Sequence, residues 1–390
     1  MIHATTLLFG GTASILAGLA LLASFHVRWV RRLPSLEGIG GAEAGSPPGN
    51  GRCSVVVAAR DEEARIEQTV RRLLAQQNVD HEVIVVDDRS SDGTAGILNS
   101  LAREDSRLKV LRVDQLPEGW LGKCHACHVG ASVARNEWLL FTDADCWLKP
   151  DVIARAVRMA EREQADHVTL TSGLAASSMT PGIRAAHLAF LLSISNWFSG
   201  VNRDRPGAFV GIGAFNLVRA CAYRECGGYE ALRLTVLDDV KLGLLLARAR
   251  KRTRAFLGAE DAECHWGRNI GGMIRIMEKN YFAILEFRLW LALLISGSMA
   301  FFICTVILGL VWQTPAGIAA ALAPLTLAAP AAVLARRIGW SWTVALGVPF
   351  VMPVFLCSLV NSTFVTLRQG GVRWRETFYS LEALRTGGVK

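Results

Sequence analysis

Long apolar runs near both ends of this chain decide first how it can fold. Residues 5–27 contain no Asp, Glu, Lys or Arg, and a run of that length crosses a hydrocarbon core of roughly 30 Å as a helix. Three further apolar stretches, residues 289–312, 316–335 and 343–365, lie toward the other end. In lipid a backbone must satisfy its own polar groups, so such runs fold as helices. With 51% of 390 residues hydrophobic, one soluble domain accounts only for the part between them.

Charge flanks orient the first run. Arg28, Arg31 and Arg32 follow it and no Lys or Arg precedes it, which places the downstream chain in the cytoplasm. A cleaved signal peptide would have a basic start and a shorter apolar core. Three full crossings at the far end would then leave Arg368, Arg373, Arg375, Arg385 and Lys390 outside, against the positive-inside tendency. One stretch therefore does not span simply. Pro349 and Pro353 mark residues 343–365 as a candidate for a broken or re-entrant helix, and the Ala-rich, Pro-containing 316–335 is another.

Nine cysteines are an odd number and scattered, so no disulfide framework is expected and a reducing compartment fits. Cys124 to His128 spell C-x-x-C-H, the attachment pattern of c-type haem. That attachment belongs to the oxidising side of a membrane, opposite to the side read here. No second Cys/His pair stands at zinc-finger spacing either, so ordinary helix packing is the reading.

Between the apolar ends, residues 38–51 are rich in Gly, Ser and Pro and read as a linker. The blocks are thus an anchor at 1–30, a linker at 31–52, a soluble domain at 53–286, membrane segments at 287–367 and a basic tail at 368–390. Within the domain, residues 54–59, 82–86, 108–113 and 138–142 are strands, the first two buried on both faces. Helices alternate with them: Asp61 is placed to cap one whose face holds Ile66, Val70, Leu73 and Leu74, and residues 122–134 form another. Alternation of this kind gives an α/β, mostly parallel, Rossmann-like sheet, with ligands beyond the carboxyl ends of its strands.

That rule gathers scattered polar residues at one rim. Arg60, Asp61 and Glu62 follow the first strand, Asp87 and Asp88 the second, and Asp143 and Asp145 the fourth. Carboxylates crowded together need a cation or a donor-rich ligand to offset their repulsion. No G-x-G-x-x-G follows the first strand and no G-x-x-x-x-G-K-[ST] is present, which argues against dinucleotide oxidoreductases and P-loop enzymes. The charge of +8 comes without nucleic-acid-binding motifs. The basic run Arg248 to Arg254 reads as solvated charge or a contact for anionic head groups. Apolar residues 183–198, ending near Trp197, read as core packing or as an interfacial helix.

The quoted pieces VVVAARDEEARI from Val55, VIVVDDRSSDGT from Val83, Gly122–Lys123, LLFTDADCWLKPD from Leu139 and LDDVKLG from Leu237 resemble, in order and spacing, the family 2 glycosyltransferases over residues 53–286. The resemblance implies the GT-A fold. It also implies a nucleotide-sugar donor, UDP-linked, and Mg²⁺ or Mn²⁺. Ala58, Arg60 and Glu62 would border the nucleoside and Asp88 the base. Asp143 would lie near the ribose and diphosphate, Asp145 would be the firmer metal ligand, and Lys123 would add positive charge. In the family the second acid of LDDVKLG is the general base, which is Asp239, with Asp238 beside it.

The anchor before the domain and the segments after it resemble members that glycosylate ceramide-type, hopanoid or carotenoid lipids. A lipid acceptor and a multi-pass inner-membrane protein with a cytoplasmic domain are therefore expected. Many processive and ceramide-type relatives carry [QR]-x-x-R-W before their membrane segments; here stand His265, Trp266, Gly267 and Arg268, then Arg275 and Lys279. Roles for His265, Trp266 and Arg268 at acceptor or diphosphate rest on that weak correspondence. The departure favours transfer of one sugar over a processive polysaccharide synthase. A sugar-1-phosphate nucleotidyltransferase, the other alternative, would begin with a Gly-rich basic loop that is absent after Val57.

Overall fold

The computed structural model describes residues 2–39 and 51–389, so most of the linker lies outside the described residues. Contacts divide the chain into two compact units. One comprises Met1–Val30, Ala176–Ser199 and Trp266–Arg385; the other comprises Arg31–Ala175, Gly200–His265 and Thr386–Lys390.

The second unit is built on a sheet of nine strands among the described residues: β1 (Arg31–Arg32), β2 (Cys53–Ala59), β3 (His81–Asp88), β4 (Leu108–Val113), β5 (Trp138–Asp143), β6 (Trp147–Leu148), β7 (His167–Leu174), β8 (Asn216–Arg219) and β9 (Thr253–Cys264). Their order is β1-β9-β7-β8-β5-β2-β3-β4, with β6 on β9. Pairing is parallel except where β8 meets β5 and β7 and where β6 meets β9. The β-branched runs Val55–Val57 and Val83–Val86 are fully buried, as expected for central strands covered on both faces.

Helices Ile66–Leu74 and Val152–Arg162 bury their apolar stripes, Ile66, Val70 and Leu73 in one and Ile153, Ala156 and Val157 in the other, in the core formed with Val55, Val57 and Trp138. On helix Gly122–Val133 a side chain at Gly130 would come within 2.5 Å of Val56 Cγ1 and 3.3 Å of Val86 Cγ2. Glycine there is what lets the helix approach β2 and β3 closely.

Several details differ from the sequence expectations. Arg31 and Arg32, read as linker, pair in parallel with Phe256 and Leu257 of β9. Arg31 also pairs with Glu163 and lies 5.0 Å from the Phe256 ring centre. The contact division cuts across the 53–286 block, because Ala176–Ser199 clusters with the apolar helices. Asp61 does not cap the Ile66–Leu74 helix, whose N-cap is Arg65; its backbone has φ of 52° and its carboxylate accepts from Ser91 N at 2.8 Å. One cysteine pair, Cys146 and Cys264, is disulfide-bonded. The antiparallel register of Trp147 with Glu263 brings together residues 118 apart in sequence, which spacing alone does not show. Arg254 of the basic run is buried and pairs with Glu163 and Asp204, so it is neither solvated nor free for lipid.

Among the described residues, the first unit holds three helices long and apolar enough to cross a membrane, Thr5–Val27, Leu289–Trp312 and Pro315–Arg337. The pair Trp342–Phe350 and Met352–Gln369 is bent by 53°, with Pro349 inside the first and Pro353 at the start of the second. Contacts match their ends. Phe9 stacks on Trp312 at 5.7 Å, whereas Val27 O accepts from Arg337 Nη1 at 2.6 Å. Phe287 O, just before the Leu289 helix, accepts from Arg385 Nη2 at 2.7 Å.

Replacing Gly130 by Ala overpacks the helix against β2 and should cost about 1–3 kcal/mol. Ala at exposed Gly96 meets nothing within 4 Å and should stabilise by about 0.4–1 kcal/mol. Thermal unfolding of the two variants in detergent checks the opposite signs.

Candidate active site

Strand register sets the site. Ala58 lies opposite Asp143 on one side and Val86 on the other, and Ala59 opposite Asp87, so the acidic ends of β3 and β5 flank the end of β2. Arg60 follows, with its guanidinium 3.8 Å from Asp61 and 4.0 Å from Asp88. Glu62 donates its N–H to Thr94 Oγ1 at 2.8 Å, and its carboxylate is 3.8 Å from Arg65. Asp88 is buried and clasped by Arg89 through Nε–Oδ1 at 2.7 Å and Nη2–Oδ2 at 3.1 Å. A side chain at Gly122 would sit 2.2 Å from Asp88 Oδ2, so the start of the Gly122–Val133 helix touches the Asp88 carboxylate because residue 122 has no side chain.

The next residue is the hub. Lys123 Nζ is 2.8 Å from Asp143 Oδ1 and 3.4 Å from Asp238 Oδ1. Burial pulls its ammonium down, but Asp143, Asp238 and Asp239 more than reverse this and leave it well above its ordinary value. Lys123 is thus a fixed positive charge between the end of β5 and the helix Asp238–Arg248.

Asp238 and Asp239 are supported differently. Asp238 is buried, and its Oδ2 accepts from Tyr229 Oη at 2.9 Å. Asp239 is half-buried and accepts from Gly213 N at 2.7 Å and from Val240 N at 2.8 Å. Burial first, then repulsion from Asp238, pushes the Asp239 carboxyl up to about 6, with Lys123 acting the other way. Three glycines admit this geometry: side chains at Gly211, Gly213 and Gly243 would meet Asp239 O at 1.9 Å, Asp143 Oδ2 at 2.8 Å and Val210 O at 2.2 Å. The loop before β8 is thereby pressed onto the start of the Asp238 helix.

Asp145 lies one residue beyond Asp143, half-buried, and its carboxyl is pushed up by burial and then by Asp143. Two neighbouring carboxylates, one destabilised as an anion, fit a hard divalent cation such as Mg²⁺ or Mn²⁺. Among the described residues no three His, Cys, Asp or Glu side chains form a metal cage; Mg²⁺ is commonly held by one or two carboxylates together with substrate phosphates.

His265 stacks edge-on against Trp147 at 4.8 Å and belongs to the sheet unit, whereas Trp266 and Arg268 belong to the apolar unit. There Trp266 packs on His187 and Phe190, and Arg268 is exposed. Cys124 and Cys127 are buried, Cys124 donating to Thr235 O at 3.5 Å, and burial pushes both thiols up, Cys127 to about 12. His125 and His128 turn elsewhere, onto Trp120.

Sequence reading missed Tyr229 and the glycines at 211, 213 and 243. Gly243 carried a signal, since a glycine inside a helix is unfavourable unless something approaches closely. Tyr229 carried none, because its hydroxyl matters only through the fold.

Residues 54–227 match the family described as Glycosyl transferase family 2. Over those residues the chain is similar to the family 2 glycosyltransferases. A beta-monoglucosyldiacylglycerol synthase of Trichormus variabilis is 32% identical over 198 residues, 48% of this chain and 40% of that protein. A 4,4'-diaponeurosporenoate glycosyltransferase of Staphylococcus haemolyticus is 25% identical over 207 residues, 53% of this chain and 54% of that protein. The chain therefore spans about half the length of the curated relatives it matches. Among solved structures, a mannosyltransferase of Pyrobaculum calidifontis in complex with GDP-Man and Mn²⁺ superposes with a TM-score of 0.55 at 17% identity, covering 94% of this chain and 99% of that one. That likeness gives the domain its fold, GT-A, as expected from the sequence.

Titration of the purified chain with Mn²⁺ in the presence of UDP should show binding that Asp145→Asn weakens by at least about tenfold, as loss of a ligand carboxylate implies. Unchanged Mn²⁺ affinity would remove Asp145 from the metal site.

Proposed function

We propose that this chain transfers one sugar, with inversion, from a nucleotide-sugar to a lipid hydroxyl at the cytoplasmic face of the inner membrane. The observation that carries the reading is Lys123, within 2.8 Å of Asp143 and 3.4 Å of Asp238. It joins the strand-end acids and the Asp238–Asp239 pair into one centre.

In this centre the acceptor oxygen attacks the anomeric carbon while the bond to the diphosphate oxygen breaks on the opposite face. Asp239 receives the hydroxyl proton; a half-buried carboxylate with a raised pKa is suited to that task. Lys123 offers positive charge to the departing diphosphate, an electrostatic stabilisation strengthened by burial. Asp145 and Asp143 would hold Mg²⁺ or Mn²⁺, which when bound supplies Lewis acidity toward the leaving group. No carboxylate nucleophile is required, unlike retaining glycoside hydrolysis. Asp88, oriented by Arg89, can accept an imide N–H of the nucleobase, which uracil and guanine both carry; we read the donor as UDP-linked. The two relatives, one named as a monoglucosyldiacylglycerol synthase and one as a diaponeurosporenoate glycosyltransferase, support a lipid acceptor.

The end contacts of the apolar unit support a topology. If Thr5–Val27 ends in the cytoplasm, Arg337 beside Val27 O ends Pro315–Arg337 on that side, while Trp312 beside Phe9 lies on the other. Arg385 at Phe287 O then returns the basic tail to the cytoplasmic side. The bent pair Trp342–Phe350 and Met352–Gln369 accordingly enters and leaves from one side, which restores the positive-inside pattern.

Asp239→Asn should lower kcat by roughly 10²–10⁴-fold, the usual value of a positioned base, with UDP affinity little changed. Because Asp239 must be ionised to accept a proton, activity is present above its pKa and lost below it. The kcat/KM profile, which reports the free enzyme, should fall on acidification through about pH 6. An acid limb at ordinary Asp values near 4 would contradict the assignment. Retention of anomeric configuration in the glycolipid product would exclude the mechanism.

For the topology, single cysteines at Gln313 and Arg375 in a chain otherwise without exposed thiols should label from opposite faces of sealed vesicles. Labelling from the same face would overturn the re-entrant assignment.

A further inference from the structure

Two acids stand side by side at the start of the Asp238 helix, yet each has its own set of partners. Both carboxylate oxygens of Asp238 are taken, Oδ2 by Tyr229 Oη at 2.9 Å and Oδ1 by Lys123 Nζ at 3.4 Å. Asp239 instead receives two backbone N–H groups, from Gly213 and Val240.

Tyr229 is itself held tightly. It is 1% exposed, its ring packs 4.9 Å from Phe141 of β5, and its N–H donates to Tyr223 Oη at 3.0 Å. Gly227 and Gly228 before it have φ of 87° and 51°. A side chain at Gly228 would meet the Tyr223 ring at 2.5 Å. This turn delivers the phenol to Asp238, and Phe141 lies two residues before Asp143, so the same packing registers Tyr229 against the end of β5.

The run of contacts is continuous: Tyr229 Oη to Asp238, Asp238 to Lys123, Lys123 to Asp143. We infer that Tyr229 is a positioning residue, whose hydroxyl fixes the Asp238 carboxylate so that Lys123 stays between the donor-side acid Asp143 and the base Asp239. The inference rests on the sugar-transfer reading for its effect on turnover. A phenol donating to a buried carboxylate is a charge-assisted bond, stronger than a neutral one, and its loss frees Asp238 to rotate and Lys123 to follow. Asp238 then serves as an electrostatic support, which leaves proton transfer to Asp239.

Tyr229→Phe in the full-length protein removes one oxygen and keeps the ring on Phe141. The expected result is a kcat reduced by about ten- to a hundredfold, the scale of a lost buried hydrogen bond to a charged group. UDP affinity should change less and the unfolding temperature little. In an Asp238→Asn background the same change should cost almost nothing more, since both act through one contact. Independently of turnover, acylation of Lys123 by an amine-reactive ester, followed by peptide mass spectrometry, should be several-fold faster in Tyr229→Phe. Wild-type kcat in Tyr229→Phe, full additivity with Asp238→Asn, or unchanged Lys123 labelling each overturns the proposal. A wild-type protein that transfers no sugar defeats the functional reading instead, and the labelling rate still decides the role of Tyr229.

Discussion

The ammonium of Lys123 among three carboxylates is the interaction on which the rest of the centre depends. Asp143, Asp238 and Asp239 come from β5 and from a helix nearly a hundred residues later in the chain. Their mutual repulsion in a partly desolvated place would be unfavourable without a counter-charge. Lys123 reaches them because it occupies the first turn of a helix whose first residue, Gly122, lies directly on Asp88. A single helix start therefore touches Asp88 and supplies positive charge beside Asp143 and Asp238.

Close backbone approach is the second constraint. Gly211 and Gly213 let the loop before β8 lie against Asp239, and Gly243, within the Asp238–Arg248 helix, lets that helix come close to the carbonyl of Val210. The N–H of Gly213 then becomes an oriented donor to Asp239 Oδ2. Such groups need no reorganisation when charge develops, which is the general advantage of preorganised polar sites. Adjacent acids of the same type thus acquire different tasks from different neighbours: a phenol and an ammonium at Asp238, two amides at Asp239.

The apolar unit follows other physics. Its helices are held by matched ends and small-residue contacts, such as Gly309 against the carbonyl of Gly317, where a side chain would come within 2.4 Å. Polar groups inside it are satisfied locally: Ser362 Oγ accepts from Phe282 N at 2.9 Å, and Asn361 Nδ2 donates to Glu278 Oε2 at 2.8 Å. Where hydrocarbon offers no partners, such internal bonds register the helices.

What the sequence determined by itself was everything carried by local period and local chemistry. Unbroken β-branched runs ending in acids gave the parallel strands and their acidic rim, charge-free runs gave the long apolar helices, and Pro349 with Pro353 marked the break. Asp88, Asp143 and Asp145 could be selected because each stands at or just beyond a strand end, where the rim rule applies, whereas Lys123 and Asp239 are reached only through the family resemblance. The tertiary structure alone decided which of these touch. It put Lys123 between acids, gave Asp238 to Tyr229, brought Cys146 to Cys264, and sent Trp266 to a different unit from His265. Those outcomes depend on sheet order and helix approach, which bring together groups far apart in sequence, and no local pattern encodes a distance across such a separation.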